Sequence, residues 1–116
     1  MPSQWEQVTV DCVDPARLGR WWAEALGFVI VDEDDDVLEI RRATDVLPGL
    51  LFVRNPDAKR VKNRLHLDLR PDDQEVEVER LVNMGARPVD IGQGDVSWVC
   101  LADPEGNEFC VLRSRQ

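Results

Sequence analysis

Polar and apolar residues alternate along Gln7-Val-Thr-Val-Asp-Cys12, the period of a half-buried strand. Asp14-Pro15 then reads as a helix cap followed by proline in the first turn. Leu18, Trp22, Ala25 and Leu26 recur at helical spacing, and Gly27 is a natural C-terminal stop. The pattern predicts a helix near 15–26. Phe28 to Val31 and Val37 to Arg41 read as a hairpin around the acidic run Asp32 to Asp36, and Gly49 to Arg54 as a fourth strand.

The same order then recurs. Leu65-His-Leu-Asp-Leu-Arg70 alternates, and Pro71-Asp72 precedes a helical stretch near 73–84 carrying Val78, Leu81 and Val82 and closed by Gly85. Arg87 to Asp90 is a short strand. Val96 to Leu101 and Asn107 to Leu112 form a hairpin around Asp103-Pro-Glu-Gly106. Gly27 follows Gln7 by 20 residues and Gly85 follows His66 by 19, so the two halves are in step. Each half reads βαβββ, and one half alone would leave a sheet face uncovered. The fold class expected is α+β: two βαβββ modules, about 5–55 and about 63–113, forming a curled eight-stranded sheet in a single domain of residues 1–116. The basic stretch Arg54 to Arg64 is the connector.

Alternation also assigns faces. Val8, Val10 and Cys12 should face the first helix, with Gln7, Thr9 and Asp11 opposite. Leu65, Leu67 and Leu69 should lie under the second helix, with His66, Asp68 and Arg70 opposite. A slip of one residue would bury Asp and Arg, so the register is well determined. Both polar rows then fall on the side that no helix covers, which makes that side a cup for a ligand. One of Trp21 and Trp22 can face the sheet, and Trp22 fits the apolar stripe; the other is available to a subunit contact. Trp98 either joins the core or lines the cup.

Composition narrows the partners. The 116 residues carry 14 basic and 23 acidic groups, net −9, which argues against nucleic acid and against an anionic membrane. No apolar run approaches the about 18 residues of a membrane span. Met1 to Gln7 is polar and has no apolar signal core, and three cysteines without a CxxC suit reduced thiols, so a cytoplasmic location is expected. The run Asp32 to Asp36 lacks the glycine and terminal glutamate of a calcium loop and reads as a solvated turn.

Three segments carry a family likeness: Asp14-Pro15 through Leu26-Gly27-Phe28, Lys62-Asn-Arg-Leu-His-Leu-Asp68, and Leu101-Ala-Asp-Pro-Glu-Gly-Asn-Glu-Phe-Cys110. Together they resemble the vicinal oxygen chelate superfamily of glyoxalases, extradiol dioxygenases and bleomycin- or fosfomycin-resistance proteins, and within it the glyoxalase-like group. The resemblance implies the paired-module fold, a small-molecule ligand and a homodimer. It also implies four ligand positions for a divalent metal. The first falls on Gln7 and the third on His66, both able to ligate. The second falls near Leu51 or Phe52, which donate no lone pair. The fourth falls on Cys110, where relatives place glutamate, with Glu108 two residues earlier on the same face.

Two readings follow from the resemblance. In an enzyme of lyase or isomerase type, Glu108 would be the catalytic acid or base, and Gln7 and His66 would hold a metal or the substrate's oxygens. In a metal-free sequestration protein of the resistance type, a shaped cup suffices. The candidate contacts are Gln7, Thr9, His66, Asp68, Arg70, Trp98 and Cys110. With a carboxylate missing, no tightly bound hard metal is expected; a weak zinc or nickel site through Gln7, His66 and Glu108 or Cys110 is the most the ligand set allows.

Overall fold

The computed structural model describes residues 2–115, and its chain forms two compact units, Met1–Ala58 and Lys59–Gln116. In the first, the elements are β1 (Gln7–Cys12), α1 (Pro15–Leu26), β2 (Val29–Glu33), β3 (Val37–Arg41) and β4 (Gly49–Arg54). The second contains β5 (Asp68–Leu69), α2 (Gln74–Asn83), β6 (Arg87–Pro88), β7 (Val99–Ala102) and β8 (Glu108–Val111). Each unit is therefore βαβββ, as its hydrophobic pattern requires. The eight strands fall into two sheets of four, ordered β1-β4-β3-β2 and β5-β8-β7-β6. In both, the first strand pairs parallel with the fourth and the remaining pairs are antiparallel.

Local chemistry explains the boundaries. The Asp14 side chain accepts the Arg17 amide, Pro15 occupies the first turn of α1, and Gly27 closes the helix in the left-handed conformation at φ 69°. The Asp34 side chain accepts the amides of Asp36 and Val37 at 2.8 and 2.9 Å, so the acidic run is the tip of the β2–β3 hairpin. The buried Asp103 accepts the amides of Glu105 and Asn107, both at 2.9 Å, which fixes the turn between β7 and β8.

Cores form where sheet and helix meet. Leu38, Ile40, Leu50 and Phe52 are buried with Leu18, Trp21, Trp22 and Ala25 of α1. Gly19 lets α1 approach the sheet, because a Cβ there would collide with the Leu38 side chain. Trp21 and Trp22 are both buried, with ring centroids 5.0 Å apart at 80°, so neither is left for a subunit contact as the helical stripe had suggested. Two adjacent helical residues share the core here because α1 lies close to the sheet at Gly19.

The second unit departs from expectation at its first strand. Only Asp68 and Leu69 pair with β8, in register with Cys110 and Val111. Leu65 is 89% exposed rather than buried beneath a helix, while Leu67 and Leu69 are half-buried. Continuing that register would set His66 beside Glu108. There the ladder ends, because the Glu108 carboxylate is taken by Lys59 and by the Asn63 amide, which draws the connector aside.

Candidate functional site

β8 alternates cleanly. Phe109 and Val111 are buried in the core, and Glu108 and Cys110 occupy the other face. Asp68 is the partner of Cys110 across β5, and Cys100 is its partner across β7, so one residue from each of three neighbouring strands joins a single row. His66, two residues before Asp68, completes the group: its Nδ1 lies 3.1 Å from Asp68 Oδ1. Potential ligand atoms of His66, Asp68 and Cys110 all lie within 4.8 Å of one another. His66 and Asp68 reach solvent, whereas Cys110 is buried.

The Cys110 thiol is not a ready nucleophile. Burial first, then the hydrogen bond and charge of Cys100 and the charge of Asp68, push its pKa up to about 12, against an opposing pull from Lys62. It stays protonated at neutral pH.

Glu108 behaves differently. Its Oε2 takes Lys59 Nζ at 2.5 Å and its Oε1 takes the Asn63 amide at 2.6 Å. Both charged groups are largely withdrawn from water, at 18% and 13% side-chain exposure. Burial opposes ionisation of Glu108, but the Lys59 hydrogen bond, the Asn63 amide and the Lys59 charge together outweigh it, and the carboxyl lies below its ordinary range. Both oxygens are engaged, so proton transfer by Glu108 would first have to break this clasp.

The remaining candidates are dispersed. Arg70 is exposed and donates to the Arg113 carbonyl at 2.7 Å, turning toward the C-terminal segment. Trp98 is 40% exposed, in the segment just before β7. In the first unit, Gln7 is half-buried opposite Gly49, and Thr9 is exposed opposite Leu51. Of the two residues near the second ligand position, Phe52 is wholly buried in the core and Leu51 shares a face with Thr9.

Sequence reasoning missed Glu39. It is the partner of Leu51 across β3, it is only 9% exposed, and its Oε2 accepts from Arg41 Nε at 2.8 Å. The alternation Val37-Leu-Glu-Ile-Arg41 signals this, since it puts Leu38 and Ile40 under α1 and Glu39 with Arg41 on the other side. The unit thus carries a carboxylate beside the position where relatives have one, but already paired with an arginine.

The chain matches the model of the glyoxalase-like domain family over residues 7–112, and it belongs to that family. Its fold is that of solved members of the wider glyoxalase, bleomycin-resistance and dioxygenase group. A family enzyme from Burkholderia phytofirmans PsJN superposes with a TM-score of 0.73 at 14% identity, covering 94% of this chain and 97% of the other. The bleomycin-binding protein of Streptomyces verticillus, complexed with copper(II)-bleomycin, gives 0.61 at 16% identity, covering 99% of each. A trypanothione-dependent glyoxalase I from Leishmania major gives 0.67 at 14% identity, covering 98% of this chain and 88% of the other. No curated protein matches the chain.

Members of this family invite a test for a divalent metal. The residues present do not fit a hard cation: Leu51 offers no donor, Glu39 is held by Arg41, Glu108 is held by Lys59, and Cys110 offers sulfur. Among the described residues no helix is long and apolar enough to cross a membrane.

Proposed function

We propose that this protein binds a small organic molecule on the sheet face turned away from the helix, without a hard metal ion. The observation that supports this most is the row of His66, Asp68 and Cys110, which places a nitrogen, an oxygen and a sulfur within 4.8 Å of one another on the face opposite Phe109 and Val111. Such a row can hydrogen-bond an organic ligand with no cation present. His66 and Asp68 are the principal contacts, with Cys110 forming the floor. Arg70 and Trp98 are peripheral, and Gln7 and Thr9 are the corresponding positions of the first unit.

Binding without turnover is favoured over lyase or isomerase chemistry by the state of Glu108. Its carboxylate is the family-position neighbour best suited to move a proton, yet both of its oxygens are occupied. The bleomycin-binding relative makes bleomycin a reasonable first probe. The test is a thermal-shift panel of small organic molecules that includes bleomycin, run on wild type and His66→Ala. Ligands that raise Tm in the wild type and fail to do so in the variant support the reading. Ligands equally effective in both would remove the row from the site.

A homodimer in a reducing cytoplasm fits this reading. Trp5, Val61 and Leu65 are 64%, 79% and 89% exposed, apolar side chains that a second subunit could cover. Light scattering at micromolar concentration should return twice the chain mass of 13.2 kDa.

A further inference from the structure

We propose that Cys100 and Cys110 are a two-electron redox couple that closes to a cross-strand disulfide when a peroxide accepts their electrons, and that closure weakens organic-ligand binding at the neighbouring row. The couple stands on strand register alone; its effect on binding rests on the binding reading above.

Register brings the sulfurs together. Cys100 and Cys110 are direct partners across β7 and β8. The Cys110 amide donates away from β7, to Leu67 at 3.0 Å, and the Cys100 carbonyl accepts from Val89 at 3.1 Å on the side away from β8. They are therefore a non-hydrogen-bonded antiparallel pair, whose Cα atoms stand about 4.5 Å apart and whose side chains approach most closely. That spacing falls within the about 4.4–6.8 Å that a disulfide spans. Both residues are free thiols, and their Sγ atoms are 3.6 Å apart. A bond of about 2.0 Å needs each sulfur to move by only about 0.8 Å, which side-chain rotation supplies without shifting the strands.

The chemistry balances with a peroxide as the sole co-reactant. One thiolate attacks a peroxide oxygen, the O–O bond breaks, and a sulfenic acid and one water or alcohol result. The second sulfur attacks the sulfenic sulfur and expels its oxygen as water, so two thiols and one peroxide give one disulfide. The sulfurs lose two electrons, the peroxide oxygens gain them, and both thiol protons leave in the products. Cys110 is the entry point. Its β-ladder neighbour Asp68 reaches solvent, and β5 covers that edge of β8 with only two paired residues, so local opening exposes this sulfur. Cys100 is then already in place to resolve the sulfenic acid before a second oxidation.

Closure alters the row. Cys110 forms its floor, with Sγ among the ligand atoms that lie within 4.8 Å of His66 and Asp68. A disulfide sulfur has no S–H to donate and is drawn toward Cys100. In a reducing compartment the open dithiol is the resting state, and the bond forms only under oxidant.

The test treats reduced, full-length protein with hydrogen peroxide at pH 8, then measures intact mass and thermal shift. Wild type should lose two hydrogens, gain no oxygen, remain a single chain on a non-reducing gel, and revert with dithiothreitol. A glutamate-specific protease cuts after Glu105 and separates the two cysteines, so a linked pair of peptides identifies the bond. Cys100→Ser and Cys110→Ser should each abolish the two-hydrogen loss and gain oxygen instead. Cys12→Ser should behave as wild type, because the Cys12 thiol lies in the first unit and donates to the Val53 carbonyl. Circular dichroism checks each fold, and alanine replaces serine in any variant that unfolds. The small molecule that raises Tm most in reduced protein should need about five times the concentration for the same shift after oxidation, the effect of one lost hydrogen bond. Oxygen gain without linkage in wild type would overturn the couple, as would a link through Cys12 or no reaction at all while denatured protein oxidises. Linkage with unchanged ligand response would overturn its control of the row. Linkage in a protein that responds to no ligand even when reduced would sink the binding reading and spare the couple.

Discussion

The two units share one topology and differ in how firmly it is built. In the first, β1 pairs with β4 over six residues, and α1 buries Pro15, Leu18, Gly19, Trp21, Trp22 and Ala25. In the second, β5 pairs with β8 over two residues, and α2 buries only Leu81. Val76 and Val82 of α2 are 63% and 37% exposed. The hydrophobic effect scales with apolar area removed from water, so α1 contributes more packing energy to its unit than α2 does to the second. The second holds the grouped His66, Asp68 and Cys110. Chemistry-bearing residues sit on the lighter scaffold, as sites that must admit a ligand commonly do.

The largest expected effects lie in the first unit. Trp22→Ala should cost about 3–5 kcal/mol in chemical denaturation, since it empties a buried aromatic site and removes an edge-to-face partner of Trp21. Val76→Ala, on the exposed side of α2, should change stability by under about 0.5 kcal/mol. Equal losses at the two positions would break the contrast.

Next comes the clasp between Lys59 and Glu108. Lys59→Met leaves Glu108 mostly buried without its cation, and should cost about 1–3 kcal/mol at neutral pH. The pH dependence has a definite sign. The folded carboxyl lies below its ordinary value, so its contribution is fully present above about pH 4.3 and is lost as pH falls through the folded value. Wild type should therefore lose more stability than Lys59→Met on acidification below that point. Parallel curves would show that the pair contributes nothing.

Hydrogen exchange refines the comparison further. Amides of β1 and β4 should exchange more slowly than those of β5, by the difference between near-global and local opening. A smaller effect concerns sulfur. With its pKa pushed up to about 12, Cys110 should react far more slowly with iodoacetamide in native protein at pH 7 than after denaturation. Fast native labelling would mean that the β8 row is more open than its burial implies.

Much of this was legible in the chain. Asp14-Pro15 and Gly27 delimit α1 because capping is local chemistry, and the Gly49 to Arg54 run is β4 because its apolar residues are continuous. The Asp-Pro-Glu-Gly turn likewise encodes itself through the Asp103 side chain. What pattern could not supply was long-range pairing. Alternation in Leu65 to Arg70 implied a six-residue strand, yet Asn63 and Lys59 bind Glu108 and leave Leu65 in water. The same cause turned Glu108 from a free acid or base into an anchored carboxylate. The pairing of Cys100 with Cys110 depends on hairpin register, and the match of Glu39 to Leu51 on strand order; neither is a local property. Alternation put His66 and Asp68 on one face, but that Cys110 joins them depends on the pairing of β5 with β8, which is again a long-range property.

Because the chain has one histidine, its ring protons give a nuclear magnetic resonance signal that needs no assignment. The most direct test of the proposed binding face is to follow that signal while titrating the small molecule that raises Tm most. The expected result is a saturable shift of the His66 ring resonances over the same concentration range in which the ligand raises Tm. A ligand that binds and stabilises the protein while the His66 signal stays in place would contradict the assignment of the site to the His66, Asp68 and Cys110 row.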